Sequence, residues 1–112
     1  MNVSIESAEG GISVARAHGR LDFGASAEFQ KALEAAVAAK PKALVVDCSA
    51  LEYVSSAGLR AFLVAARAAK AGSVGFAACA LQPSVKEVFE VSGFSKIIDV
   101  KADLAAALSA LN

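Results

Sequence analysis

The feature that most limits the fold of this chain is a pair of short, continuously apolar segments, residues 43–48 and 74–80. Apolar residues in these segments do not alternate with polar ones, and a strand of this kind must be covered on both faces. Such strands are typical of parallel sheets, because the connection between two parallel strands is usually a helix that covers the sheet. The two segments therefore predict central strands with helical cover.

Four other segments have apolar residues at helical spacing. Residues 40–42, Lys-Pro-Lys, end the first helix, Gly72 ends the second, and Pro83 and Gly93 bound the third. Residues 104–111 form the last helix. The residues predicted to face the core are Phe29, Leu33, Ala36 and Val37 in the first helix, Leu59, Phe62, Leu63 and Ala66 in the second, Val85, Val88 and Phe89 in the third, and Leu104, Leu108 and Leu111 in the last.

Strand patterns also occur near both ends of the chain. Residues 2–6 alternate polar and apolar, Gly10-Gly11 marks a turn, and the alternation resumes at Ile12 and stops at Gly19. Residues 97–100 form a last short strand. The predicted order is β-β-α-β-α-β-α-β-α, a single α/β domain over residues 1–112. Its sheet is mixed and mostly parallel, with about five strands and about four helices.

Length and charge exclude several classes of protein. A chain of 112 residues has the length of one domain. Eleven basic residues balance eleven acidic ones, so there is no basic field for nucleic acid or an anionic membrane, and the expected partner is a protein. Arg60 and Arg67 interrupt the longest apolar stretch, which excludes a membrane span. The first residues have neither the basic nor the apolar region of a secretion signal, so a cytoplasmic location is expected.

The sequence predicts no metal site, no cofactor site and no enzyme activity. Cys48 and Cys79 lie in apolar runs at a spacing that fits no metal or redox motif, so both are expected to be reduced core thiols. His18 has no neighbouring nucleophile. A phosphate-binding glycine loop is missing from the sequence, and a nucleophilic Ser56 would need glycine at position 54, where Val54 stands.

One segment, residues 46–60, concentrates the side chains that point to a function. A buried strand ends at Asp47, a short polar loop is predicted to follow, and Ser55 and Ser56 stand immediately before the second helix. The carboxyl ends of strands are where sites form in open α/β sheets. Either serine can act as an N-cap, which contributes about 1 kcal/mol. A hydroxyl at a helix N-terminus is also a good phosphate acceptor, because free amides and the helix dipole stabilise the resulting dianion. The local chemistry leaves both interpretations open.

Residues 46–67, VDCSALEYVSSAGLRAFLVAAR, resemble the signature of the STAS domain family, and specifically of its anti-sigma factor antagonists. That signature is Asp-x-Ser, an apolar loop, then Asp or Ser, Ser, a small residue, Gly and Leu opening a helix. Residues 19–33, GRLDFGASAEFQKAL, and residues 88–100, VFEVSGFSKIIDV, resemble two further parts of the family pattern. The resemblance covers nearly the whole chain and implies the STAS fold.

The resemblance also implies a regulatory mechanism. An anti-sigma factor serine kinase would bind the unphosphorylated chain, releasing its sigma factor, and would end this capture by phosphorylating Ser56. A metal-dependent serine phosphatase would reverse the modification. Ser55 stands where many family members have aspartate, and its hydroxyl is a second candidate acceptor for the phosphate. Asp22 corresponds to the family's aspartate beside the phosphorylation loop. It is expected to help engage the kinase and to repel or orient the phosphate, with a turn or helix cap as the alternative. Asp47 and Ser49 are expected to anchor the segment that presents Ser56.

Further residues of the second helix complete the expected partner surface. Gly58 would let a partner's backbone approach, although a tight turn explains it nearly as well. Arg60, Val64 and Arg67 share the outer face of the helix and are partner contacts or an ordinary solvated face. The competing function is a non-switching STAS subunit of a transport or stressosome-like assembly, in which Ser56 is only a cap.

Overall fold

A five-stranded sheet with its strands in chain order organises the fold, in a computed structural model that describes residues 2–112. Strands β1 and β2 are antiparallel, and the other neighbouring pairs are parallel. The predicted fold class, a mixed and mostly parallel sheet with four helices, is confirmed. The elements are β1 (Asn2–Ser7), β2 (Ile12–Leu21), α1 (Phe23–Ala38), β3 (Ala43–Val54), α2 (Ser56–Ala71), β4 (Gly75–Cys79), α3 (Pro83–Val91), β5 (Asp99–Lys101) and α4 (Leu104–Leu111).

Helices α1, α2 and α3 cover one face of the sheet, and α4 covers part of the other. The larger core contains one phenylalanine from each of the three helices, Phe29, Phe62 and Phe89, and all three are fully buried. Their ring centroids are 5.1 Å and 5.2 Å apart in succession, in the tilted and edge-to-face arrangements that aromatic pairs prefer. This row of rings joins the three helices on one face of the sheet.

Strand β3 is longer than the sequence indicated. The predicted loop after Cys48 continues as strand to Val54, paired only with β2 because β4 ends at Cys79. The register between β2 and β3 shifts twice in this part. Extra residues in one strand produce such β-bulges, which bend the strand and are common near functional sites. The polar side chains of Ser49 and Glu52 concealed the strand, because α4 covers only the first part of β3 and one face of the extension is exposed.

Two smaller predictions were wrong. The last strand is Asp99–Lys101 instead of residues 97–100, since Phe94–Lys96 forms a 3-10 turn that leaves Ile97 61% exposed. Leu63 is only half-buried, because the core-facing positions of α2 include alanines that carry little hydrophobic signal. The buried residues of α2 are Gly58, Leu59, Ala61, Phe62, Ala65 and Ala69.

Helix α2 begins in close contact with the end of β2. A Cβ atom on Gly58 would lie 2.7 Å from Cγ and 2.9 Å from Cδ2 of Leu21, and 3.0 Å from the Leu21 carbonyl oxygen. Gly58 is buried. The expectation that Gly58 admits a partner's backbone is corrected here, because the backbone that it admits is that of Leu21 in the same chain.

We predict that Gly58→Ala lowers the free energy of unfolding by about 1–3 kcal/mol, the usual loss when a methyl group is forced into a filled site. Gly24→Ala is the matched control, because Gly24 is an exposed helical glycine whose added Cβ would meet only Asp22 Oδ1, at 3.6 Å. That change should leave stability unchanged or raise it by up to about 1 kcal/mol through helix propensity. Urea denaturation of both variants measures the difference, and equal stabilities would contradict the packing argument.

Candidate functional site

The candidate site lies where β2 and β3 end side by side. Leu21 is the register partner of Val54, and the backbone N–H of Ser55 donates to the Leu21 carbonyl oxygen over 2.9 Å. The next residues along the two strands, Asp22 and Ser55, therefore leave the same edge of the sheet, and Ser56 follows Ser55 there. Residues far apart in the sequence come together here because parallel neighbours end at one edge.

The two serines have different environments. Ser55 is the N-cap of α2, and its half-buried Oγ accepts a hydrogen bond of 3.1 Å from the Gly58 N–H. Ser56 is the first residue of the helix and is exposed. The sequence left open which serine is the cap, and the structure identifies Ser55. The Ser56 hydroxyl is therefore not needed to satisfy this end of the helix.

Asp22 is the N-cap of α1. Its Oδ1 accepts a hydrogen bond of 3.0 Å from the Ala25 N–H, and the residue is exposed. The alternative role that the sequence offered for Asp22, a helix cap, is therefore present in the structure. Helices α1 and α2 both begin at this edge, so the positive ends of two helix dipoles lie near the serine pair and favour an anion there.

Asp47 lies in β3, before the end of the strand and next to the first bulge. It is only 6% exposed, and its Oδ2 accepts a hydrogen bond of 2.7 Å from Arg16 Nη1. Arg16 Nε donates to Glu6 Oε1 over 2.6 Å, so one guanidinium joins β1, β2 and β3. The hydrogen bond and charge of Glu6 raise the pKa of Arg16 further above its ordinary value, which keeps the guanidinium charged. A buried carboxylate requires such pairing.

Ser49 makes its observed contacts through its backbone. The Ser49 N–H donates to Asp47 Oδ1 over 3.0 Å, and its carbonyl oxygen accepts from Gln82 Nε2 over 2.9 Å. Gln82 immediately precedes α3. The bulge is therefore fixed to the buried carboxylate on one side and to the start of α3 on the other, while the side chain of Ser49 is exposed.

The outer face of α2 continues from Ser56 at helical spacing. Arg60 and Arg67 are exposed, and Val64 between them is half-buried. Leu63 adds a half-exposed apolar side chain to this face. Among residues 2–112 the side-chain ion pairs involve only Arg16, so neither arginine of α2 has a carboxylate within ion-pair distance there. Both cations are available to groups outside the described part of the chain.

Sequence reasoning missed two residues of this region. Arg16 holds the buried Asp47, and a signal was present, since polar residues alternate along β2 at Arg16, His18 and Arg20 and mark its uncovered face. Phe23, the first residue of α1, is 82% exposed. It lies outside the helical spacing of the core residues of α1, which could have identified it as a surface aromatic.

Cys48 and Cys79 are free and buried, as the sequence predicts, but they belong to the cores on opposite faces of the sheet. Burial raises the pKa of both thiols, that of Cys79 to about 11, so both remain protonated near neutral pH.

Within residues 2–112, no group of three or more His, Cys, Asp or Glu side chains is placed to hold a metal ion. No helix in that range is long and apolar enough to cross a membrane.

The model of the STAS domain family matches residues 6–107, and the chain belongs to this family, as its motifs predict. BtrV of Bordetella bronchiseptica, named as an anti-sigma factor antagonist, is 34% identical over 100 residues, 89% of this chain and 86% of BtrV. RsfB of Mycobacterium tuberculosis, named as an anti-sigma-F factor antagonist, is 32% identical over 100 residues, 88% of this chain and 80% of RsfB. The crystal structure of an anti-sigma factor antagonist from Mycobacterium paratuberculosis is similar with a TM-score of 0.90 and 28% identity, covering 98% of this chain and 92% of that one.

We predict that the two serines differ in their effect on stability. Ser55→Ala should lower the free energy of unfolding by about 1 kcal/mol through loss of the cap, whereas Ser56→Ala should change it by less than about 0.5 kcal/mol. Ser55→Asn is the control that restores a capping oxygen and should recover most of the loss. Urea titrations measure all three, and a larger loss for Ser56→Ala than for Ser55→Ala would show that the cap is assigned to the wrong residue.

Proposed function

We propose that this chain is an anti-sigma factor antagonist that binds a serine-kinase-type anti-sigma factor when unphosphorylated and is released when Ser56 is phosphorylated. The observation that carries the proposal is the exposed Ser56 hydroxyl at the first position of α2, beside a cap already supplied by Ser55. The names of the similar proteins BtrV and RsfB support the partner class.

The geometry favours Ser56 over Ser55 as the acceptor. A kinase must reach the hydroxyl oxygen of its substrate. Ser56 is exposed, whereas Ser55 is half-buried and its Oγ accepts a hydrogen bond from the Gly58 N–H. Phosphate on Ser55 would also disrupt the N-cap. Phosphate on Ser56 would instead lie at the positive end of the helix dipole, where a dianion is stabilised. The domain can therefore carry the modification without unfolding.

Phosphorylation would change the charge of the surface on which Ser56 lies. The modification adds about −1.5 to −2 charges to the outer face of α2. Arg60 is four residues further along, and a side chain at that spacing can pair with the phosphate. The pairing would withdraw Arg60 from a partner, and any partner carboxylates that faced Arg60 and Arg67 would be repelled. Both effects release the partner without a large conformational change.

The other predicted site residues support this surface in different ways. Asp22 is exposed at the same edge, where its carboxylate can meet the kinase. Asp47 and the backbone of Ser49 hold the bulged strand that leads to Ser55 and Ser56. A metal-dependent serine phosphatase would restore the unphosphorylated form. In this proposal the chain is a binding partner and a kinase substrate and has no catalytic role of its own.

The alternative, a non-switching STAS subunit of a transport or stressosome-like assembly, treats Ser56 as a cap. Ser55 performs that role here, so the alternative gives the exposed Ser56 no function. A pull-down with the unphosphorylated chain separates the two functions. Recovery of a serine-kinase-like anti-sigma factor supports the switch, whereas recovery of only permease or stressosome components supports the alternative.

We predict that Ser56→Ala abolishes phosphorylation by the kinase, because it removes the accessible hydroxyl. Ser55→Asn should still be phosphorylated, since asparagine keeps the cap and removes only the other hydroxyl. Phosphopeptide mapping after incubation with the kinase and ATP distinguishes the two acceptors. Phosphate mapped to Ser55 in the wild-type chain would reverse the assignment. So would phosphorylation that is lost in Ser55→Asn and retained in Ser56→Ala.

We also predict that Ser56→Asp weakens kinase binding by roughly tenfold or more, because it puts an unmatched negative charge into the interface. Ser56→Ala should bind like the wild type. Ser95→Asp is the charge-matched control, an exposed serine in the turn after α3, at the other edge of the sheet. Titration calorimetry measures the affinities, and thermal melts should show all three variants folded. Equal affinities for the Ser56→Asp and Ser56→Ala variants would argue against a switch at this position.

A further inference from the structure

Phe23 is an aromatic residue whose carbonyl oxygen accepts a hydrogen bond from Ser26 Oγ but whose side chain lies outside the core. It is 82% exposed at the first position of α1, whereas the other five phenylalanines are buried or half-buried. Asp22 already caps the helix, so the turn that begins α1 does not require an aromatic residue. The buried residues of α1 begin only at Phe29.

Exposure by itself does not identify a contact, because single apolar side chains are common on protein surfaces. The position of Phe23 is the informative observation. The hydrogen bond from the Ser55 N–H to the Leu21 carbonyl oxygen places the chain just before Phe23 against the start of α2. Phe23, at the first position of α1, therefore lies at the same edge of the sheet as Ser56, near the surface that the proposed partner must contact.

We infer that Phe23 is a hydrophobic anchor for the anti-sigma factor kinase. The inference rests on the proposed function and adds an anchoring residue to it. Exposed aromatic residues near the centre of an interface contribute much of its binding energy when they enter a pocket on the partner. Arg60 and Arg67 continue the surface along α2 with two cations that have no ion-pair partner among residues 2–112. The matching partner surface has an apolar pocket bordered by carboxylates.

The test compares Phe23 with an apolar residue that is equally exposed elsewhere. Val91 ends α3 at the opposite edge of the sheet and is 83% exposed, so Val91→Ser is the matched control for Phe23→Ser. Phe23→Leu keeps an apolar side chain with a different shape. Because both sites are exposed, all three variants should melt close to the wild-type temperature, and changes in affinity are then not due to unfolding.

Titration calorimetry with the anti-sigma factor kinase, without ATP, should show binding by Phe23→Ser weakened by roughly 30-fold, the level of an interface hot spot. Phe23→Leu should lose less affinity, and Val91→Ser should bind like the wild type. In the phosphorylation assay, Phe23→Ser should raise KM and leave kcat unchanged, since Phe23 would act in docking and Ser56 in the reaction.

The outcomes separate the anchor from the proposed function. If the wild-type chain binds the kinase and Phe23→Ser binds equally well, the anchor is wrong and the switch at Ser56 stands. If the wild-type chain binds no such kinase, the proposed function fails and the anchor fails with it. Sedimentation of the free chain tests a second copy as the occupant. A wild-type dimer that Phe23→Ser converts to a monomer would overturn the inference in favour of self-association.

Discussion

The candidate site depends on one backbone constraint, the pairing of β2 with β3 up to their last residues. The hydrogen bond from Ser55 N–H to the Leu21 carbonyl oxygen closes this pairing and fixes where α2 begins. Helix α2 can start so close to β2 because Gly58 has no Cβ to meet Leu21. A shift of either strand end would move Asp22 and Ser56 relative to each other, since Asp22 follows the paired Leu21 and Ser56 follows Ser55, whose N–H donates to Leu21.

The extension of β3 needs support because it has lost β4 as a neighbour. The buried carboxylate of Asp47 supplies part of this support. One of its oxygens accepts a hydrogen bond from the Ser49 N–H, and the other accepts one from the Arg16 guanidinium. Only the carboxylate of this ion pair is buried, and its desolvation offsets much of the attraction, so the pair is a weak source of net stability. Its directional contacts instead define which residues bulge and where the strand resumes. Removing Arg16 would leave a buried carboxylate without its cation, so the loss would exceed the value of the pair itself.

The sequence predicted the fold class and the element order because long, periodic segments dominate this chain. The core residues Phe29 and Phe62 follow from helical spacing, and their burial is confirmed. The extension of β3 could not be predicted, since α4 does not cover one of its faces and the exposed Ser49 and Glu52 resemble loop residues. The contact of Gly58 with Leu21 could not be predicted either, because it joins elements far apart in the sequence. For the site, the sequence located the serine pair, and only the hydrogen bond to the Gly58 N–H identified Ser55 as the cap.

The residues assigned to folding and those proposed for partner recognition are largely separate in this site. Ser55, Gly58 and Asp47 are committed to contacts within the chain, as cap, close-packed glycine and buried carboxylate. Ser56 and Phe23 are exposed and contribute little to the core. Because substitutions at exposed positions usually change stability little, this surface can vary in charge and shape while the fold is retained. A domain arranged in this way can acquire a phosphate or change its partner by altering its surface, without a second folded state.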